Sequence, residues 1–209
     1  MFNKLLVPVD LSTQSMLMVG IASRMKHYGV KDVVVYSAVD ERSKKDPLME
    51  VLDQKLSQAK MKHEMVVEVS DDVPQSIVKA AATHHASMIA MAASGKGRVR
   101  EFIVGSTSLA VIRRSKVPVL LDKFPITADE DPEGFCKNCP PLLDRVLVTL
   151  DLSKVSRHML PFVQQLIDAG AKNMTLFHVV QASKYSMTDD QRFQLNIQTQ
   201  GRLVTVEEF

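Results

Sequence analysis

Short apolar runs alternate along this chain with stretches whose apolar residues recur every three or four positions. Leu5 to Val9 and Val33 to Val39 are runs of the first kind, the pattern of strands buried on both faces. Between them Ser12 is suited to cap a helix, and Gly29 stands where that helix should stop. Strand, helix and strand in this order form a βαβ unit, the building block of a parallel sheet. Pro47 to Lys62 reads as a second helix, with Leu48, Val51, Leu52, Leu56 and Ala59 on one face. Met65 to Val69 is a third strand. After Asp71-Asp72, Pro74 fits the first turn of a helix running to about His85. Met88 to Ala92, Ser106 to Arg114 and Val117 to Leu121 then read as strand, helix and strand. Pro118 cannot donate to a ladder, which places the fifth strand at a sheet edge. The pattern predicts an open, five-stranded, parallel α/β domain over residues 1–123, with helices on both faces.

The opening pattern recurs. KLLVPVDLSTQSMLMVGIASRMKHYGVKDVVVYSAV begins at Lys4, and RVLVTLDLSKVSRHMLPFVQQLIDAGAKNMTLFHVV begins at Arg145. Aligned without a gap at an offset of 141, ten of the 36 pairs are identical. They include the triplet Asp10-Leu11-Ser12 with Asp151-Leu152-Ser153, and Gly29 with Gly170. A match of that length reads as duplication. Residues 124–143, FPITADEDPEGFCKNCPPLL, carry four prolines and no periodicity and read as a linker. Residues 144–209 then form a partial second copy: strand, helix, strand, a helix about Asp189 to Gln200, and a strand about Arg202 to Val206. Nothing in them corresponds to the first copy's fourth strand, the loop after it, or the fifth strand. Three strands in the order 3-2-1 would leave the first strand's edge bare. That edge is expected to be covered by the first domain, by a partner chain, or by residues beyond these 209.

Composition narrows the classes. The 209 residues are 45% hydrophobic and 24% charged, an ordinary globular balance. A net charge of +2 is too small to argue for nucleic acid or an anionic membrane as the main partner. No apolar run approaches a membrane span, and the start lacks a signal-peptide pattern. The expectation is a cytoplasmic protein.

The candidate chemistry lies in SGKGRVREFIVGSTS, Ser94 to Ser108. Ligands of open parallel sheets bind beyond the strands' carboxyl ends, where strand order reverses. The ends at Pro8-Val9-Asp10, Ala38-Val39 and Met91-Ala92 would therefore face one crevice, with this loop at its mouth. Gly95 and Gly105 allow close backbone approach. The Ser106, Thr107 and Ser108 amides and hydroxyls open a helix, where orphan N–H groups and the dipole favour an anion. Asp10 is suited to a ribose hydroxyl or an adenine amine. The same residues also fit ordinary helix capping with Lys96, Arg98 and Arg100 as a solvated face, and both readings stand on the loop alone. No P-loop pattern is present.

VPVDLS at the first strand, AVDER from Ala38 to Arg42, and Gly95 followed after nine residues by Gly105-Ser106 resemble the universal stress protein family. Its nucleotide-binding members carry G-x2-G-x9-G-[ST]. The resemblance covers residues 1–123 fully and 144–209 in part, so the chain is similar to tandem members of the family with an incomplete second domain. It implies the strand order 3-2-1-4-5, a homodimer, and a regulatory or stress-protective role with at most slow ATP hydrolysis. The implied ligand is an adenine nucleotide, ATP with Mg2+ carried by its phosphates. Pro8, Val9, Asp10 and Ala38 would surround adenine and ribose. Met91, Ala92, Ser94, Gly95, Gly105, Ser106, Thr107 and Ser108 would hold ribose and phosphates. Two positions depart from the family pattern: Ala92 stands at the motif's first glycine, and Ala38 replaces a typical valine. The second copy keeps Asp151 and Val179 but has no phosphate loop, so no nucleotide is expected there by this mode. The competing reading is a dimerisation and partner-binding module of the same fold.

Cys136 and Cys139 form C-x2-C in the linker. Three readings stand: half of a zinc site completed across a dimer, a redox pair, or reduced linker thiols. The adjacent His84 and His85 point to different helix faces and favour a solvated helix end over a metal site. No pair of carboxylates, nucleophile elbow or Ser/His/Asp arrangement supports a hydrolase.

Overall fold

The computed structural model describes residues 2–39, 47–93, 104–122, 142–151 and 153–178. The chain separates into two compact units, Met1–Cys139 and Pro140–Phe209. The first contains β1 (Lys4–Pro8), α1 (Thr13–Arg24), β2 (Asp32–Val39), α2 (Pro47–Gln58), β3 (Lys62–Val69), α3 (Val73–Thr83), β4 (Met88–Ala92), α4 (Ser106–Arg114) and β5 (Val119–Asp122). Its five strands lie in the order β3-β2-β1-β4-β5, every neighbouring pair parallel. This is the predicted α/β sheet, with β5 at an edge.

Burial explains the order. Leu5, Leu6 and Val7 of β1 have no exposed surface, as a strand in the middle of a doubly covered sheet requires. On one face Leu6, Val34, Tyr36, Ile89 and Met91 pack with Ile77, Ala80 and Ala81 of α3 and Val111 of α4. α1 buries Leu17, Met18 and Ile21, and α2 buries Leu52 and Leu56. Edge strand β3 starts at Lys62, three residues before its apolar run. Its polar first half is anchored by side chains: His63 Nε2 lies 2.9 Å from Asp53 of α2, and His84 Nδ1 lies 3.1 Å from Glu64. His84 is therefore tied to β3, where the sequence suggested a solvated helix end.

Four helical segments end in one way. Gly29, Lys60, His85 and Gly170 all have positive φ, at 92°, 53°, 53° and 100°. In each case the next residue's N–H reaches back five positions: Val30 to Met25 O, Met61 to Leu56 O, Ala86 to Ala81 O and Ala171 to Leu166 O. This left-handed stop satisfies carbonyls that a helix end would otherwise leave bare. Val30, Met61, Ala86 and Ala171 are all buried, so each stop also points an apolar residue inward. Helix α2 accordingly ends at Gln58, four residues earlier than its apolar periodicity suggested. β5 begins at Val119, with the Pro118 carbonyl accepting from Ile89 N–H at 3.0 Å.

In the second unit, β6 (Arg145–Leu150) pairs in parallel with β7 (Asn173–His178). The single expected helix between them is split into α5 (Lys154–Arg157) and α6 (Leu160–Asp168). Pro161 stands where the first copy has Gly20. A proline has no N–H for the Arg157 carbonyl, and its ring clashes with that carbonyl in a continuous helix. Val148 and Leu176 form a small core with Val146, Leu150, Val163 and Met174 around it. The elements expected after His178 lie outside the described residues.

Residues aligned at the offset of 141 differ in burial: Leu6 is 0% exposed and Leu147 is 63% exposed. Leu6→Ala should cost about 2–5 kcal/mol of stability in urea denaturation, whereas Leu147→Ala should cost no more than about 0.5 kcal/mol. Equal losses would mean that Leu147 is covered in solution.

Candidate functional site

The sheet opens at the end of its central pair. β1 follows β2 in register from Lys4–Asp32 to Pro8–Tyr36, but its pairing with β4 covers only Leu5–Met88 and Leu6–Ile89. Beyond Leu6 the two strands part, where the order of connections reverses. A cleft of about 410 Å³ occupies this gap, within the ordinary range for small-molecule sites. Pro8, Val9, Asp10, Ala38, Met91, Ala92, Gly105, Ser106, Thr107 and Ser108 all line it. Residues far apart in the chain thus meet in one place, as their positions at strand and helix ends require. Ser94, Gly95, Cys136 and Cys139 lie outside the described residues.

One wall is a turn. Asp10 Oδ1 accepts from Ser12 N–H at 3.0 Å, and Leu11 between them sits at φ 59°. A branched, bulky residue seldom adopts that conformation, and here the Asp–Ser bond closes the turn around it. Ser12 then caps α1, its Oγ accepting from Ser15 N–H at 3.3 Å. The second unit makes the same hydrogen bonds: Ser153 N–H donates to Asp151 Oδ1 at 2.9 Å, and Ser156 N–H to Ser153 Oγ at 3.1 Å.

The opposite wall is the start of α4. Ser12, Asp72 and Ser153 cap α1, α3 and α5 with side-chain oxygens, but Gly105 at the α4 N-cap offers none. The first-turn amides of α4 border the cleft at a positive dipole end, an arrangement suited to an anionic group. Two bonds fasten this helix start to the end of β4 and the residue after it: Gly105 N–H to Ala93 O at 2.7 Å and Ser108 Oγ to Ala92 O at 3.0 Å. Gly105 itself is extended, at φ −60° and ψ 152°, a conformation open to any residue. Ala92 lies in β4, and the positive-φ non-glycine residues among those described are Leu11, Lys60 and His85. The alanine at the motif's first glycine position is therefore unstrained.

Five further residues line the cleft: Ser12, Ser15, Tyr36, Val73 and Ile77. Strand alternation carries the signal for Tyr36, two residues before Ala38 and on the same face. Val73 and Ile77 are one helical turn apart on α3, and their approach to β2 depends on tertiary packing. The Tyr36 phenol donates to Glu68 Oε2 at 3.0 Å, and burial pushes its pKa up. The Asp72 carboxylate caps Gln75 N–H and pairs with Arg114 of α4 at 3.0 Å; the Gln75 bond first, and Arg114 second, hold its pKa down. Among the described residues no group of three or more His, Cys, Asp or Glu could hold a metal ion, and no helix is long and apolar enough to cross a membrane.

A model of the universal stress protein family matches residues 1–123. No functionally curated protein matches the chain. Among solved structures, a universal stress protein from Archaeoglobus fulgidus is similar at 24% identity and TM-score 0.60, over 88% of this chain and 70% of that one. The hypothetical protein MJ0577, whose structure was used to assign its biochemical function, is similar at 25% identity and TM-score 0.52, over 61% and 99% of the two chains. A universal stress protein in complex with cAMP is similar at 20% identity and TM-score 0.50, over 58% and 97%.

The turn in the second unit has a measurable signature. Hydrogen bonds from Ser153, side chain first and then backbone, followed by Ser156, lower the Asp151 pKa to about 2. A group depressed in the folded state contributes stability above its unfolded pKa and loses it as pH falls through the folded value. Carboxyl-carbon NMR should show Asp151 titrating near 2, and Ser153→Ala should move it back up towards the ordinary aspartate range. An unchanged midpoint in Ser153→Ala would show that the Ser153 hydroxyl does not set it.

Proposed function

Because the chain belongs to the universal stress protein family, we propose that its first unit is a regulatory or stress-protective module that binds an adenine nucleotide. ATP is the nucleotide proposed, with Mg2+ carried on its phosphates. The observation that carries this reading is one cleft joining an apolar wall, Ala38, Val73, Ile77 and Met91, to the α4 start that no side chain caps. The apolar wall suits a flat base, Asp10 a ribose hydroxyl, and the Ser106 and Thr107 amides and hydroxyls a phosphate. A neighbour of this fold has been solved with cAMP, so the fold is compatible with an adenine nucleotide.

Catalysis is a minor part of the proposal. Asp10 is the one carboxylate among the described lining residues, and its Oδ1 is already engaged by Ser12 N–H. No histidine, cysteine or lysine stands beside it there. That set supports binding with at most slow hydrolysis. The second unit is read as a partial copy that keeps the Asp-Leu-Ser turn and takes no nucleotide in this way.

Calorimetry with ATP and Mg2+ tests the reading. The wild-type chain should bind in the micromolar range, and Gly105→Val should weaken binding about tenfold or more. The Gly105 backbone accepts valine without strain, so a loss would report the side chain placed against the cleft. Absence of micromolar binding by the wild type would sink the proposal.

A further inference from the structure

We propose that Ser108 is a positioning residue, distinct in role from Ser106 and Thr107 beside it, and that its hydroxyl sets the α4 amides for the anionic end of the ligand. The inference rests on the nucleotide reading above. Gly105-Ser106-Thr107-Ser108 looks in sequence like one cluster of phosphate donors. The structure divides it.

A serine hydroxyl carries a single proton to donate. Ser108 Oγ lies 3.0 Å from the Ala92 carbonyl oxygen, which can only accept, so that proton is spent on β4. The residue is 4% exposed. What remains at Oγ is lone pairs, which repel a phosphate. Ser108 therefore acts on the ligand through the helix: its hydroxyl and the 2.7 Å Gly105 N–H to Ala93 O bond together fix where the first turn of α4 begins. Ala92 is the last residue of β4 and lines the cleft, and Ala93 follows it directly, so the strand end and the helix start are held together. Ser106 and Thr107, at the first two positions of the helix, are left to make the contacts.

Two measurements on the wild type, Ser108→Ala and Ser108→Thr test this. Amide hydrogen exchange of the ligand-free proteins should be faster across Ser106–Leu109 in Ser108→Ala. Calorimetry should show MgATP binding weakened roughly five- to tenfold in Ser108→Ala, the scale of one lost buried hydrogen bond, with adenosine binding unchanged. Ser108→Thr, which keeps the hydroxyl, should restore both. Weakened MgATP binding with unchanged exchange would make Ser108 a direct ligand contact and overturn the inference. An equal loss for adenosine, or no loss for MgATP, would overturn it as well. A wild type that binds neither ligand would overturn the nucleotide reading itself, and with it the ligand role of Ser108. A wild type that binds while Ser108→Ala changes nothing would overturn the positioning role alone.

Discussion

The first unit depends on one strand being paired along both edges. β1 is short, wholly apolar at Leu5, Leu6 and Val7, and without exposed surface there. It can satisfy its backbone only by lying between two other strands, since buried amides and carbonyls need partners. β2 takes one edge for five residues, β4 takes the other for two, and the chain reverses its direction of winding between them. The cleft is a consequence of that mismatch. Connections from β1 and β4 leave on opposite sides, so the space beyond Leu6 and Ile89 is bordered by the helix starts that follow each strand. Those starts bring the Asp10 turn and the α4 amides to the same opening.

That dependence explains what could be read from the chain. The strand order and the meeting of Pro8, Ala38, Met91 and Gly105 follow from topology, which apolar runs and their spacing encode. The lower part of the wall does not. Tyr36 is detectable by alternation, but Val73 and Ile77 reach the cleft through the packing of α3 on the sheet, where Ile77, Ala80 and Ala81 are buried. Nothing local to Val73 announces it.

Helix ends divide along a similar line. Gly29 and Gly170 mark their stops in the sequence because glycine reaches positive φ without a Cβ penalty. Lys60 and His85 make the same left-handed stop at 53°, and no residue type there signals it. The signal lies one position later, in Met61 and Ala86, whose burial offsets the strain by closing the core. Apolar periodicity therefore overran α2, and the polar Lys62, His63 and Glu64 concealed the first half of β3, an edge strand whose polar residues make side-chain hydrogen bonds to α2 and to the end of α3.

The two units separate what a turn is from what it does. DLSTQS and DLSKVS form the same hydrogen bonds to within about 0.2 Å: 3.0 and 2.9 Å at the aspartate, 3.3 and 3.1 Å at the cap, 3.0 and 3.1 Å from the last serine hydroxyl to the cap carbonyl. Six residues suffice to specify this geometry, and it survives the break that Pro161 puts into the helix behind it. In the first copy Ser12 and Ser15 are buried against the cleft; in the second, the same serines are half-buried and no described element stands opposite them. The turn by itself is a helix cap. It becomes half of the proposed site only where β4 holds a second, uncapped helix start across from it. The site's chemistry is thus a property of the pairing between β4 and α4, and the Asp-Leu-Ser signature alone is no evidence of a ligand in either copy.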